Sequence, residues 1–314
     1  MTTILIVELK HWNSRKCLAS QKIGGLTLND YTPVDLQLLN KWRRLAEVSD
    51  EEISLAEAAL FISAIDHPEL DLAICLEQID EIAHVIRKKF RGDTSVPEKL
   101  MALNHYLFAV LGFRGNVEEY ADPKNSFLDQ VLIRRLGIPI TLSIVYLEIG
   151  RRLGLKMYGI AFPSHFLVKC VVNDNIVIID VFNRGITLSL EDLKDRLRSI
   201  GDISSVSDGM LSHLLSAATN RNILARILRN LLKIYSDNKD WMRALSVSDF
   251  IITLLSDDAD EAYRDRASIY LKLDCYKAAL SDLRTYLHIC PGAPDADDIK
   301  ETLFALEQSV SKLN

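Results

Sequence analysis

Long apolar runs are missing from this chain. No stretch approaches the roughly 18 to 20 uninterrupted apolar residues that a membrane-spanning helix requires, so a soluble protein with no membrane partner is expected. The stretch nearest to a leader, Thr2 to Leu9, has no basic region before it and carries Glu8 where a secretory segment stays apolar, which argues against a signal peptide. A basic surplus is missing too. The formal net charge of -6 and pI near 5.7 leave little to neutralise phosphates, the source of most nucleic-acid affinity, so nucleic acid is not an expected partner. Paired cysteines are also absent: Cys17, Cys75, Cys170, Cys275 and Cys290 are scattered, odd in number and never spaced C-x-x-C. That excludes a disulfide framework and a zinc knuckle and fits a reducing cytoplasm. His11, His67, His84, His105, His213 and His288 show no ligand spacing, and neither a metal nor a cofactor is expected.

What is present is a chain of 314 residues, 48% hydrophobic, long enough for two ordinary cores. Residues 1–30 hold no helical or strand period and end near Gly24-Gly25, which reads as an irregular arm. From Asp35 to about Leu111 the pattern is helical, with helices over Ser54 to Ala64, Leu72 to Phe90 and Pro97 to Leu111. After Pro139, whose ring suits a first helical position, apolar residues occupy nearly every face up to Ile149, and Arg151-Arg152 precede Gly154. Such a helix is buried on most sides. Two β-type runs follow, Phe166 to Val172 and Ile176 to Ile179, joined across Asn173-Asp174-Asn175, which has the composition of a tight hairpin turn. A buried helix followed by an antiparallel hairpin defines an α+β domain, placed with the preceding helices in residues 31–205.

Beyond a polar, Ser-rich connection from Ser199 to Ser207, the chain becomes helical and repeats itself over 215–314. Tyr235, Trp241, Ala244 and Leu245 recur 35 positions later as Tyr270, Tyr276, Ala279 and Leu280, with Pro291 closing the second unit. The interval is close to the roughly 34-residue tetratricopeptide period, in which large and small residues alternate so that paired helices approach closely. Two units are visible, fewer than the about three needed for independent stability, so these helices are expected to lean on the preceding domain.

A buried helix with a distinct N-terminus, a histidine opening a strand (His165) and an acid ending the next strand (Asp180) follow the order nucleophile, base, orienter. Cysteine-dependent acyl-transfer sites need that arrangement. The helix dipole and an imidazolium lower the thiol pKa, and the acid holds the imidazole.

The run from Asn125 to Asp180 resembles the transglutaminase-like core of the bacterial SirB-type regulator family. The resemblance is carried by Asn125-Ser126-Phe127-Leu128, Gly137-Ile138-Pro139-Ile140-Thr141-Leu142-Ser143, Pro163-Ser164-His165-Phe166-Leu167-Val168 and Asp180-Val181-Phe182-Asn183-Arg184-Gly185. It extends into the tail through Tyr263-Arg264-Asp265-Arg266-Ala267, Ala278-Ala279-Leu280-Ser281-Asp282-Leu283 and Tyr286-Leu287. Val181 stands where that family usually has proline and Arg184 where it often has glycine. The fold this implies is α+β: a helical N-terminal subdomain, a papain/transglutaminase-like core with a small antiparallel sheet, then α-helical tetratricopeptide-like repeats. Active transglutaminases resemble this chain in a helix ending in an Arg-x-x-Gly-like segment, with their nucleophilic cysteine about 15 residues before that glycine. Counting back from Gly154 lands on Pro139, which has no nucleophile.

No cysteine substitutes for it. Cys170 lies five positions past His165 along an expected strand and should point to the opposite sheet face. Ser143 shares a helix face with Pro139 but lies one turn, about 5 to 6 Å, deeper, while Thr141 points elsewhere around the helix. Each residue also has a structural role available. His165 and Asp180 can close a turn by hydrogen bonding, Pro139 opens a helix, and Ser143 can bond back to a helix carbonyl.

Three functions follow. The first is a non-catalytic interaction or regulatory module that binds a protein or peptide partner, with Pro139, Ser143, His165 and Asp180 as a vestigial site. The second is a hydrolase or acyltransferase using Ser143 or Thr141 with His165 and Asp180. The third is a domain that holds a peptide or small molecule in the old cleft without turning it over.

Overall fold

Helix starts in the computed structural model, which describes residues 36–173, 175–200, 207–256 and 259–312, follow local capping chemistry. Helix α1 (Leu36–Glu47) comes first. Helix α2 (Leu55–Ser63) is Ala- and Leu-rich and buried along almost its whole length. Asp71 caps α3 (Leu72–Arg87) by accepting from the Ala73 amide at 2.9 Å. Ser95 and Glu98 cap α4 (Val96–Asn104) reciprocally, with Pro97 in its first turn. The helix expected over Pro97 to Leu111 changes character at His105–Val110, which is a π-helical turn.

A short strand, β1 (Arg114–Gly115), pairs in parallel with β2 (Leu136–Gly137), and α5 (Leu128–Arg134) lies between them in sequence. Two residues later α6 (Pro139–Arg152) begins, and every residue from Pro139 to Gly150 is buried. It packs against α2, α3, α4, α5, β3 (Met157–Ile160) and β4 (Leu167–Val172), so the helix with apolar residues on nearly every face is the hub of this unit. With β5 (Asn175–Asp180) and β6 (Ile186–Leu188), strands β3 and β4 form an antiparallel sheet in the order β3-β4-β5-β6. Val172 pairs with Asn175, leaving a two-residue turn in which Asn173 adopts φ 48°, as tight hairpins demand. Cys170 pairs with Met157, whose sulfur lies against Gly150 of α6, so that sheet face meets the central helix. The other face carries Ile160, Leu167 and Ile178, which join Leu193, Leu197 and Leu211 in one apolar cluster. Those leucines come from α7 (Leu190–Ile200) and α8 (Asp208–Leu214). Ser199 thus belongs to a helix, not to the connection expected from Ser199 onward.

The remaining helices are α9 (Asn220–Asp237), α10 (Trp241–Leu255), α11 (Asp260–Lys272), α12 (Tyr276–Ile289) and α13 (Ala296–Lys312). Trp241 opens α10 and Tyr276 opens α12, with α11 between them, and Ala244 and Ala279 are fully buried on those two helices. The small residues of the repeat therefore lie at interior positions.

The chain divides into two compact units, residues 47–230 and residues 1–46 with 231–314. The division falls within α9, later than the boundary expected between 205 and 215, and it moves α1 away from the α+β core. Fully buried Trp42 explains that assignment: its indole donates to the Phe250 carbonyl at 3.0 Å and its ring lies 4.9 Å from that of Phe250 on α10. The arm expected over 1–30 lies outside the described residues.

Candidate functional site

The His165 turn is short and tightly tied. Its amide donates to the Phe162 carbonyl at 3.1 Å, and Ser164 takes φ 53°. His165 therefore sits in the turn two residues ahead of β4, not in the strand as its sequence suggested. Asp180 ends β5, and the His165 imidazole meets it at 2.9 Å, Nε2 to Oδ1. The histidine and acid singled out from the sequence are thus brought together.

Asp180 is wholly buried, a position that would drive a lone carboxyl to stay protonated. Four donors reverse that tendency. Besides His165, the Asn183 amide donates to Oδ1 at 3.2 Å, while the Asn183 side chain and the Arg196 guanidinium each reach Oδ2 at 2.7 Å. Burial pushes the pKa up, but the hydrogen bonds from His165, Asn183 and Arg196 and the charge beside it hold it far below the carboxylate range. An ionised carboxylate only accepts, so Nε2 of His165 carries a proton and, in the neutral ring, Nδ1 holds the lone pair. Among the described residues no hydrogen bond occupies Nδ1.

The acid projects with Ile178 on the sheet face packed by α7, from which Arg196 comes. Contacts lead from His165 toward the start of α6 through Phe182. That ring stands edge-on to the imidazole at 6.0 Å and lies so close to Gly115 that a Cβ there would fall 2.4 Å from it. Gly115 pairs with Gly137, two residues before Pro139.

The hydroxyls of α6 are committed elsewhere. Ser143 is fully buried and donates to the Pro139 carbonyl at 2.7 Å, the back-bond open to a helical serine. Thr141, equally buried, donates to the Asn125 carbonyl at 2.6 Å and accepts from the Ile138 amide at 3.2 Å, capping the helix that Pro139 begins. The thiols are no readier. Cys170 is buried, and burial raises its pKa and that of Cys75. Cys290 donates to Asp260 at 3.1 Å, which raises its pKa as well. Among the described residues no cluster of His, Cys, Asp or Glu has the geometry of a metal site, and no helix is long and apolar enough to cross a membrane.

A cavity of about 460 Å³ in the same unit lies apart from His165 and Asp180, lined instead by Glu51, Glu148, Arg151, Tyr158 and Asn220 among others. Arg196 and Asn183 complete the acid's surroundings, and Phe182 stands beside the histidine. Asn183 and Phe182 stood in a noted motif, whereas Arg196 belongs to an ordinary amphipathic helix and nothing in its local sequence marks it.

Fold and site define a class: a transglutaminase-like core followed by tetratricopeptide helices. Residues 74–229 match the transglutaminase-like superfamily, and residues 231–303 match the tetratricopeptide repeat. A UPF0162 protein of Xylella fastidiosa (strain Temecula1) is 39% identical over 273 residues, which span 87% of this chain and 97% of that one. The chain belongs to the UPF0162 family. Protein SirB1 of Salmonella typhimurium is 25% identical over 82% of this chain and 94% of its own. Human F-box only protein 21 is 28% identical over 63% of this chain and 38% of its own length.

Proposed function

We propose that this protein is a non-catalytic interaction or regulatory module of the cytoplasm, in which a papain-like site has lost its nucleophile while its histidine and acid persist. The observation that carries this reading is at the start of α6. Pro139 occupies the first helical position, and Ser143, one turn on, is buried with its hydroxyl bound to the Pro139 carbonyl at 2.7 Å. A serine nucleophile needs its hydroxyl within hydrogen-bond reach of a base, and this hydroxyl is spent on its own helix. The second unit supplies the complementary part, since tetratricopeptide repeats generally bind proteins.

The test is a paired assay on the full chain: amine incorporation into a glutamine-bearing protein, and labelling by a fluorophosphonate serine probe. Neither should exceed the rate of a His165→Ala variant. Wild-type activity that Ser143→Ala abolishes would establish the serine-hydrolase reading in its place.

A further inference from the structure

We infer that the surface beside His165 is a carboxylate-recognition site in which Arg226 supplies the charge, and that its ligand is a peptide acid. The inference rests on the interaction reading for its ligand class. Its geometry stands apart from that reading.

Arg226 lies on α9 within the unit that holds His165. Its Nη1 donates to the Phe162 carbonyl at 3.2 Å, the same carbonyl that accepts the His165 amide. Its guanidinium stands 5.8 Å from the centre of the Phe166 ring. These contacts fix the cation on the turn that carries His165. Two aromatic rings continue the surface from the histidine: Phe182 stands edge-on to His165 at 6.0 Å, and Tyr120 stands edge-on to Phe182 at 6.2 Å. Tyr120 is 51% exposed, so this surface opens to solvent.

The arginine's position lacks an anion. Arg134, Arg152, Arg196 and Arg266 are each shielded in part and each holds a carboxylate. Arg226 is also partly buried, yet among the described residues it makes no ion pair and uses one of its five N–H donors. Burial pulls its pKa down, and a guanidinium keeps its proton regardless. A desolvated, pre-oriented fork stacked on an aromatic ring matches the two oxygens of a carboxylate. Tyr120 and Phe182 offer an aromatic wall for the apolar residue next to that acid.

The experiment follows the Arg226 Nε–H and His165 ring resonances of the full-length protein by NMR during titration. The probes are acetyl-Phe-Glu-methylamide, its glutamine counterpart, and acetyl-Gly-Phe with a free terminal carboxylate. At least one acid should shift both resonances saturably while the glutamine peptide does not, and the responding acid separates a side-chain source from a chain terminus. Arg226→Gln should weaken that acid's binding by at least about tenfold, with Arg226→Lys intermediate. Equal binding of the glutamic acid and glutamine peptides, or unchanged affinity in Arg226→Gln, would overturn the inference. Should Arg226→Gln not fold, an Arg226 resonance in the wild type that neither acid moves overturns it equally. Enzymatic activity found in the assays above would end the interaction reading while leaving an acid-specific Arg226 shift to stand.

Discussion

Each unit of the molecule buries a charge, and the two charges are handled differently. Within residues 231–314, Arg266 is almost completely enclosed between Asp249 at 2.6 Å and Asp282 at 2.7 and 2.8 Å, with the Tyr263 and Tyr270 rings 5.6 and 5.7 Å away. Burial opposes its charge, but the Asp282 bonds and the two negative charges more than offset that and raise its pKa. Within residues 47–230 the buried group is an acid, Asp180, and one of its donors, His165, keeps a 17% exposed side chain with an uncommitted ring nitrogen. The first network is closed around its arginine, a structural cross-brace between helices that meets water at Asp249, whose side chain is 27% exposed. The second has an outlet. Both satisfy the demand that a buried charge be compensated, and the second leaves a histidine ring nitrogen for something outside the fold.

The largest expected effect comes from opening each network at its centre. Arg266→Ala strands two carboxylates and should cost about 3 to 5 kcal/mol, whereas Asp180→Ala should cost about 3 kcal/mol because Arg196 retains partial access to water. Denaturant unfolding measures both. The contrast sharpens with His165→Ala, which removes only the outward member and should cost about 1 kcal/mol. A loss as large as that of Arg266→Ala would show that the second network is closed as well. Next in size is Ala279→Leu, which overpacks a fully buried repeat position on α12 and should cost about 1 to 3 kcal/mol. A thermal melt unchanged by that substitution would deny the repeat its close helix contact.

A smaller effect separates the networks by pH. Asp180 has a depressed folded-state pKa, so in acid the unfolded chain binds the proton that the folded chain refuses. Its contribution is fully present above about pH 4, the ordinary aspartate value, and fades as pH falls toward the folded-state value. Asp180→Asn should therefore flatten the decline of stability on acidification below about pH 4. A slope identical to the wild type would remove Asp180 from the account of acid stability.

The architecture was legible where periodicity is strong. A helix with apolar residues on nearly every face, Pro139 to Ile149, could only be a hub, and the 35-residue recurrence of Tyr235, Trp241 and Ala244 announced paired helices. The pairing of His165 with Asp180 was legible from order and spacing alone. Long-range placement was not. That Trp42 would donate to Phe250, 208 residues away, has no local signature, yet this contact groups α1 with the C-terminal helices. Arg196 and Arg226 were equally hidden, because a cation on an amphipathic helix looks alike whether it faces water, a buried acid or an open surface. Ser143 was half legible: its helix face follows from the 3.6-residue period, but the choice between a base and its own Pro139 carbonyl is made by packing.

The central claim, that Pro139 stands where a papain-like site once held its nucleophile, is tested most directly by restoring a thiol. In Pro139→Cys the sulfur would occupy a helix N-terminus in a chain that retains the His165 and Asp180 pair, the setting that turns a thiol into a thiolate. Thiolate absorbance followed against pH needs no access for a reagent, so burial of the position does not obscure it. The expected result is a thiol pKa well below the roughly 8.5 of a free cysteine, returning toward that value when His165→Ala is added. A pKa at or above the ordinary range, unchanged by removing His165, would show that the histidine does not address that helix end and would contradict the account.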